Sequence, residues 1–316
     1  MATAPRLNPT EVAEIGTRLA ENIALAVKAP DRVVRDLIVA LLAEGHVLIE
    51  DAPGVGKTAL ARALARSLEA EYARVQCTSD LLPADLVGTN VFNQRSSSFE
   101  FHPGPVFANV VLVDEINRAS PKTQSGLLEC MQERQITIDG TKHELARPFV
   151  VLATQNPTEY EGTYPLPEAE LDRFMVRVTL GYPAADSEAA MLAEHADDDP
   201  VEDLRPIADI SAIRAAQAGL AEIEGTEALR RYVVAICEAT RGDERVELGA
   251  SPRAGLMLFR ASKALAALEG RDHVLPDDVQ ALAPSVLSHR LLLSFEVDGD
   301  QRQSVVRDAI DRVPAL

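Results

Sequence analysis

The residues Glu50–Leu60 read EDAPGVGKTAL, and this stretch is similar to a turn that binds phosphate. It follows a short apolar run, His46–Glu50, and precedes a segment with leucines at helical spacing. A strand, a glycine-containing turn and a helix in this order form the context of a phosphate-binding loop. The usual pattern, G-x-x-x-x-G-K-[ST], begins with glycine, whereas this chain has Asp51 there. Asp tolerates a left-handed backbone torsion better than most residues, so we expect the loop to accommodate it.

The residue types in this turn match the chemistry of nucleotide binding. Successive backbone N–H groups form an anion cradle, and the helix that follows adds a positive dipole. Lys57 is predicted to reach the β- and γ-phosphates, and the Thr58 hydroxyl to bind Mg²⁺. The predicted loop consists of Pro53, Gly54, Val55, Gly56, Lys57, Thr58 and Ala59. Taken alone, the pattern leaves one alternative open, a glycine-rich turn with a lysine at a helix start. The chain has no Asn-Lys-x-Asp guanine motif, so ATP is the expected nucleotide.

Apolar runs along the first part of the chain indicate a parallel sheet. Besides the run before the loop, four segments have the length of buried strands: Ala73–Gln76, Val110–Val113, Phe149–Ala153 and Val176–Leu180. Segments with helical spacing separate these strands. Two further helices are predicted before the loop, over residues 9–29 and over Val33–Ala43, with Asp31 as the cap of the second. This alternation predicts an α/β fold in which helices cover both faces of a parallel sheet.

Two insertions interrupt the alternation, and the composition changes later in the chain. Gly88–Pro105 alternates apolar and polar residues around a serine-rich tip, and Ile136–Ala146 contains the hairpin signal Asp139-Gly140. Beyond Tyr182, alanine-rich segments with helical spacing follow: Ser187–His195, Thr226–Thr240, Pro252–Leu268 and Pro276–Leu287. We therefore predict an α/β core over residues 1–183 and an all-helical domain over residues 184–316.

Charge argues against nucleic-acid binding. The 316 residues carry a formal net charge of −18, from 49 acidic and 31 basic residues. Proteins bind nucleic acids largely by neutralising phosphates, and this chain has no cluster of Lys and Arg to do so. An acidic run over residues 195–200, HADDDP, is interpreted as a solvated loop between the domains.

Hydropathy and cysteine content predict a cytoplasmic protein. No apolar run approaches the roughly 18 residues that a membrane span needs. The first residues, MATAPRLNPTEV, lack the basic and apolar regions of a secretion signal. Cys77, Cys130 and Cys237 are odd in number and widely spaced, which argues against a disulfide framework and a zinc site.

Two more predicted strands end in polar residues, where open α/β sheets bind ligands. Val110–Glu115 reads VVLVDE; Asp114 is expected to hold the water shell of Mg²⁺, and Glu115 to polarise the attacking water. Val150–Pro157 reads VVLATQNP, and Asn156 is expected to orient that water or touch the γ-phosphate. Acidic residues often follow strands, and Asn-Pro also begins turns. These patterns therefore indicate a nucleotide site only together with the loop.

Two arginines are candidates for contact with phosphate. Arg173 lies in LPEAELDRF, where Leu171 and Phe174 are expected to pack inward and Arg173 to point outward, as a surface residue that can pair with Glu168 or Glu170. Arg253 follows Ser251 and Pro252, an N-cap and a first helical residue. A cation in the first turn of a helix is disfavoured by the helix dipole, and a bound phosphate would reverse this penalty. We expect Arg253 to act on the nucleotide of its own subunit.

In their order and spacing, these motifs closely resemble the MoxR family of AAA+ ATPases over most of the chain. The motifs are the phosphate loop, VDEINR ending at Arg118, ATQNP ending at Pro157, LPEAELDRF ending at Phe174 and GASPR ending at Arg253. The resemblance implies a Walker A motif at Gly54–Thr58, a Walker B motif at Asp114 and Glu115, sensor 1 at Asn156, an arginine finger at Arg173 and sensor 2 at Arg253. It identifies Gly88–Pro105 with the helix-2 insertion of the family, Ile136–Ala146 with its pre-sensor-1 hairpin, and the second domain with its helical lid. The role of Arg118 stays open.

The resemblance also implies a kind of activity and its partners. Members of the family form oligomers, usually hexameric rings, that hydrolyse ATP with Mg²⁺ and act as chaperones in maturing enzymes or complexes. They commonly work with a protein carrying a von Willebrand factor A domain. Two alternatives stay open: a motor subunit of the magnesium-chelatase type, and a scaffold that binds nucleotide without hydrolysing it. The resemblance identifies neither the client protein nor the pathway.

Overall fold

The computed structural model describes residues 5–156, 162–182, 199–294 and 301–315. The helices of the first two ranges are α1 (Pro9–Ala26), α2 (Asp31–Leu42), α3 (Lys57–Ser67), α4 (Pro83–Val87), α5 (Pro121–Glu133) and α6 (Glu168–Leu171). The strands are β1 (Val47–Glu50), β2 (Tyr72–Gln76), β3 (Gly88–Asn93), β4 (Ser98–Pro103), β5 (Val110–Asp114), β6 (Gln135–Ile138), β7 (Thr141–Glu144), β8 (Val150–Gln155) and β9 (Val176–Val178). The later ranges contain α7 (Ile210–Gly219), α8 (Glu227–Arg241), β10 (Val246–Leu248), α9 (Pro252–Leu268), α10 (Pro276–Leu287), β11 (Leu292–Leu293) and α11 (Gln301–Arg312).

A five-stranded sheet in the order β2-β5-β8-β1-β9 forms the centre of the fold, and all its pairings are parallel. The four strands predicted after the loop and the strand before it are all members of this sheet. Because the strands are parallel, their carboxyl ends meet at one edge of the sheet and their amino ends at the other. This polarity positions the candidate site.

Both faces of the sheet are buried, as the apolar runs predict. In β5, Val110 and Leu112 pack into a core shared with α1, α2 and α3. The alternate residues Val111 and Val113 pack into a second core on the opposite face, which contains residues of α4 and α5. A strand buried on both faces reads as a continuous apolar run, which explains the pattern VVLV. The prediction of an α/β fold with a parallel sheet is confirmed.

The first helices differ from the prediction in one detail. Asn8 caps α1, and its side chain accepts a hydrogen bond from the backbone N–H of Glu11. The prediction that Asp31 caps the second helix was wrong, because Asp31 is the first residue of α2 and Pro30 precedes it without a side-chain cap. The carboxylate of Asp31 then lies in the first turn, where the helix dipole favours a negative charge.

Both predicted insertions form hairpins. Strands β3 and β4 pair in antiparallel fashion, as do β6 and β7. Asp139 and Gly140 both adopt positive φ, 48° and 80°, in the turn between β6 and β7, as two-residue hairpin turns require. The hairpins contact each other through the rings of Phe101 and His143, whose centroids are 4.0 Å apart. In β3–β4, the rings of Phe92 and Phe99 are exposed and contact each other.

Helices dominate the second part of the chain, as predicted, together with an antiparallel pair formed by β10 and β11. This part packs directly on the first, because Leu258 and Leu265 of α9 lie in the same core as Leu19 of α1. The predicted helix Ser187–His195, the boundary at residue 183 and most of the acidic run lie outside the described residues. None of the described helices has the length and apolar composition of a membrane span.

Candidate active site

The phosphate loop connects the carboxyl end of β1 to α3. Gly54 and Gly56 adopt φ of 85° and 92°, a region that residues with a Cβ rarely occupy. No atom lies within 4 Å of the place where a Cβ would be at either glycine. The glycines are therefore needed for their torsions, and the open space beside them leaves room for phosphate oxygens.

Lys57, the first residue of α3, folds back over the loop. Its Nζ donates hydrogen bonds to the carbonyl oxygens of Asp51, at 2.9 Å, and Ala52, at 3.1 Å. Thr58 follows in the first turn of the helix and is half-buried. The ammonium group thus lies over the loop at the positive end of α3, where an anion is favoured.

Asp51, which stands in place of the expected glycine, joins the loop to the end of the sheet. Its buried carboxylate accepts hydrogen bonds from the backbone N–H groups of Ala52, at 2.9 Å, and Gly181, at 2.8 Å. Asp51 is not among the described residues with positive φ, so the expectation that aspartate is used here for a left-handed torsion was wrong. The carboxylate is used for its two hydrogen bonds. Nearby, an ion pair of 2.9 Å between Glu50 on β1 and Arg177 on β9 holds these two strands together.

The two carboxylates of the predicted Walker B motif lie at the end of β5, two strands away from β1: Asp114 is the last residue of the strand and Glu115 follows it. The buried carboxylate of Asp114 accepts a hydrogen bond from Nε of Arg74 at 2.7 Å. Thr154 on β8 bridges the pair: its hydroxyl lies 3.3 Å from Asp114 Oδ1 and accepts the backbone N–H of Glu115 at 2.9 Å. Glu115 has φ of 55°, and left-handed torsions of non-glycine residues concentrate at functional sites.

Arg74, Thr154 and Arg118 extend the set of residues around the carboxylates. Arg118 lies 3.0 Å from Glu115 within the same chain, so here it pairs with the Walker B glutamate. Sequence patterns missed Arg74 and Thr154, although an arginine within a predicted strand of the sheet was a usable signal for Arg74.

The field of these carboxylates also affects a nearby thiol. Burial, with Asp114 and Glu115 as secondary causes, raises the pKa of Cys77 to about 12. The thiol is therefore neutral and unreactive at physiological pH.

Asn156 lies just beyond β8, the strand between β5 and β1. The residue is buried, and its strand places it between the phosphate loop and the Walker B carboxylates. The structure thus brings the loop, Asp114, Glu115 and Asn156 to one edge of the sheet. Pro157, the last residue of the predicted motif, lies outside the described residues.

The donor set fits a nucleotide with Mg²⁺. Across the residues that the structure describes, no group of three or more His, Cys, Asp or Glu side chains could enclose a metal ion. Mg²⁺ in proteins usually keeps several waters and is held by one or two carboxylates together with substrate phosphates. One buried carboxylate, Asp114, and one hydroxyl, Thr58, beside an open cradle agree with that kind of site.

Arg173 and Arg253 lie at the other edge of the sheet. Both line a pocket of about 360 Å³ together with Gly45 and His46, which precede β1. The phosphate loop follows the opposite end of β1, and the six steps along the chain from Gly45 to Asp51 span at most about 20 Å at 3.3 Å per residue. This position argues against the expectation that Arg253 acts on the nucleotide of its own subunit. The length of β1 separates the two arginines from the phosphate loop.

The arginines of this pocket differ in their partners. Arg134 and Arg260 both form ion pairs with Glu44. No carboxylate of the described residues pairs with Arg173 or Arg253, so the predicted alternative, pairing of Arg173 with Glu168 or Glu170, is not formed. Ser251 caps α9 as predicted and leaves Arg253 in the first turn. The pocket therefore presents two positive charges and the positive end of a helix dipole.

A parallel five-stranded sheet with a phosphate loop, Walker B carboxylates and a helical second part is the architecture of an AAA ATPase. The family model "ATPase family associated with various cellular activities (AAA)" matches residues 46–176, and the model "AAA lid domain" matches residues 238–309. A putative ATPase from Cytophaga hutchinsonii has a similar solved structure, with a TM-score of 0.89 and 34% identity, covering 98% of this chain and 97% of that chain.

Curated relatives are similar over most of their length. Uncharacterized protein YeaC of Bacillus subtilis is 47% identical over 278 residues, which cover 87% of each chain. Chaperone MoxR1 of Mycobacterium tuberculosis is 41% identical over 280 residues, covering 86% of this chain and 74% of the relative. The chain belongs to the MoxR family of AAA+ ATPases.

Asp51→Asn tests the role of the carboxylate in the loop. Asparagine can still accept the N–H of Ala52, but its amide NH₂ cannot accept the N–H of Gly181. We expect the free energy of unfolding to fall by about 1–3 kcal/mol, the usual cost of a buried donor left without its partner. Urea denaturation measures this change, with Asp203→Asn, at an exposed loop residue, as the matched control. Equal midpoints for Asp51→Asn and the wild type would show that the hydrogen bond to Gly181 contributes nothing.

Proposed function

We propose that this protein binds ATP and Mg²⁺ at the phosphate loop and hydrolyses the nucleotide to ADP and phosphate. The observation that supports this most strongly is the meeting of the loop, the Walker B carboxylates and Asn156 at one edge of the sheet. Lys57 would bind the β- and γ-phosphates, and Thr58 and Asp114 would hold Mg²⁺, partly through water. The contacts of Pro53, Val55 and Ala59 with the nucleotide would be made by their backbone.

In the proposed reaction, Glu115 polarises a water molecule by accepting a hydrogen bond from it. The water oxygen attacks the γ-phosphorus, the bond from that phosphorus to the bridging oxygen breaks, and ADP leaves. Asn156 orients the water from the neighbouring strand. Mg²⁺, when bound, offsets the negative charge of the phosphate oxygens. Thr154 fixes the positions of Asp114 and Glu115 relative to each other through its two hydrogen bonds.

We propose that Arg173 and Arg253 complete the site of a neighbouring subunit. The observation that supports this proposal is the pocket at the amino end of β1, in which neither guanidinium has a carboxylate partner among the described residues. Two such cations would stabilise the charge that develops on a γ-phosphate during hydrolysis. Because the loop and the arginines occupy opposite edges of one subunit, subunits would join head to tail and close into a ring. We propose a hexamer.

The biological role that we propose is chaperone-like remodelling of a client protein or complex, together with a protein that carries a von Willebrand factor A domain. The relative named Chaperone MoxR1 supports the chaperone activity. A cytoplasmic location is supported by the cysteines, which are all free thiols in the described chain. Hydrolysis would drive the remodelling by changing the contacts between subunits.

Lys57→Ala and Glu115→Gln separate nucleotide binding from hydrolysis. Lys57→Ala should lose measurable ATP affinity because it removes the cation that binds the phosphates. Glu115→Gln should bind ATP as the wild type does and lose turnover by at least about 10²-fold, the lower range for a general base. Calorimetric titration and phosphate release measure the two effects.

Exposed residues of the same types provide matched controls, Lys122→Ala and Glu133→Gln, which should change neither property. Hydrolysis close to the wild-type rate by Glu115→Gln would refute the role assigned to Glu115. Undiminished ATP affinity in Lys57→Ala would refute the role assigned to the loop.

Mixing inactive variants tests the shared site. Arg173→Ala and Arg253→Ala should each reduce hydrolysis, and arginine fingers are worth about 10³–10⁵ in rate where they have been measured. An Arg173→Ala subunit keeps an intact loop, and a Lys57→Ala subunit keeps intact arginines. After random 1:1 exchange, about one quarter of head-to-tail interfaces would pair the intact halves and recover activity. The same recovery is expected when Arg253→Ala replaces Arg173→Ala.

The mixture of Arg173→Ala with Arg253→Ala is the control, because no interface then receives both arginines from one subunit. It should stay as inactive as its components. Subunit exchange is followed separately by energy transfer between labelled subunits. Exchange without recovery in the mixtures with Lys57→Ala would show that the arginines do not act on a neighbour.

A further inference from the structure

A buried arginine, Arg290, lies in a short turn after α10 and contacts the segments that carry Arg173 and Arg253. Its side chain is only 2% exposed and forms an ion pair with Asp172, with Nε 2.7 Å from Oδ1. Asp172 immediately precedes Arg173. The Arg290 guanidinium also donates to the carbonyl oxygen of Phe174 at 2.5 Å. One side chain of the second domain therefore binds the residues on both sides of Arg173.

The same group reaches the helix that carries Arg253. Nη2 of Arg290 contacts the sulfur of Met257, one turn after Arg253 on α9. The hydroxyl of Ser251, the N-cap of α9, donates to Asp172 at 3.2 Å. Arg290 and Asp172 thus connect the segment that holds Arg173 to the first turns of α9 that hold Arg253.

Arg290 remains charged in this environment. Burial lowers its pKa to about 10, and the carboxylate of Asp172 opposes this change. Buried ion pairs are weak contributors to stability, because desolvation offsets much of their attraction. The planar guanidinium, in contrast, fixes several acceptors in one geometry, which the single ammonium of lysine cannot do. We therefore infer that Arg290 serves to orient the segments around it rather than to stabilise the fold.

We propose that Arg290 is a positioning residue that holds Arg173 and Arg253 side by side, so that both reach one γ-phosphate of a neighbouring subunit. This inference rests on the shared site proposed above. Arg290 is buried and hydrogen-bonds Asp172 and the carbonyl oxygens of Phe174, Met175 and Val286, and it contacts the sulfur of Met257; none of these residues belongs to the phosphate loop. Its loss should therefore affect the site that its subunit offers to the neighbour and leave its own phosphate loop intact.

Arg290→Lys tests the proposal in the full-length oligomer. We expect hydrolysis to fall by roughly tenfold to a hundredfold, because displacing a reacting group by about 1 Å costs this much. ATP affinity, measured with Glu115→Gln also present, should be unchanged. Arg271→Lys is the matched control: Arg271 forms a partly buried ion pair with Asp278 at the far end of α9 and should be replaceable without loss of hydrolysis.

Mixing distinguishes the proposed role from a general loss of structure. Arg290→Lys mixed with Lys57→Ala should recover activity, because the intact arginines and the intact loop lie on different subunits. Arg290→Lys mixed with Arg173→Ala should not recover, since both variants are defective in the same half of the site. Recovery of activity in the mixture of Arg290→Lys with Arg173→Ala would overturn the role of Arg290. The role would also be overturned if Arg290→Lys did not recover with Lys57→Ala although Arg173→Ala did.

Failure of Arg173→Ala itself to recover with Lys57→Ala would instead refute the shared site on which the inference rests. Asp172→Asn is the second variant in case Arg290→Lys does not fold. It keeps the size of the side chain and weakens the bond to Arg290, so it should show the same pattern of recovery. A folded Asp172→Asn oligomer with wild-type hydrolysis would overturn the proposal.

Discussion

Parallel pairing of β1 with β8 and β9 is the constraint on which the arrangement of this molecule depends. Parallel strands share a direction, so everything that follows a strand lies at one edge of the sheet and everything that precedes it lies at the other. The phosphate loop and the polar residues after β5 and β8 consequently meet at the carboxyl edge. Gly45 and His46, next to Arg173 and Arg253, lie at the amino edge. One strand therefore separates the two halves of the proposed site, and the proposal joins them through a second subunit.

Hydrogen bonds to buried charges connect these edges to the rest of the fold. At the carboxyl edge, Asp51 and Glu50 connect the loop to Gly181 and to β9. At the amino edge, Arg290 and Asp172 connect the second domain to the segment that holds Arg173. A displacement of the second domain would therefore alter the two arginines directly.

Much of the fold and of the loop was predictable because the relevant signals are local. Apolar runs of strand length, glycines before a lysine, and the Ser251-Pro252 helix start depend on neighbouring residues, and each is found as predicted. The use of Asp51 was misjudged, because its partner, Gly181, is 130 residues away in the chain. Arg74 and Thr154 were missed for the same reason, since they meet Asp114 only across the sheet.

The motifs in the amino-acid sequence were sufficient to predict the α/β core, the nucleotide loop and the family, because each motif is a short run whose chemistry does not depend on distant residues. Which arginines could reach which phosphate was decided only by the tertiary structure. The helix-dipole argument predicts that Arg253 would be stabilised by a nearby anion, but a local argument of this kind does not identify the subunit that carries the anion. Strand direction and the packing of α9 place Arg253 in the same pocket as Arg173, at the amino end of β1, whereas the loop follows the carboxyl end, because position along a sheet depends on topology rather than on local pattern.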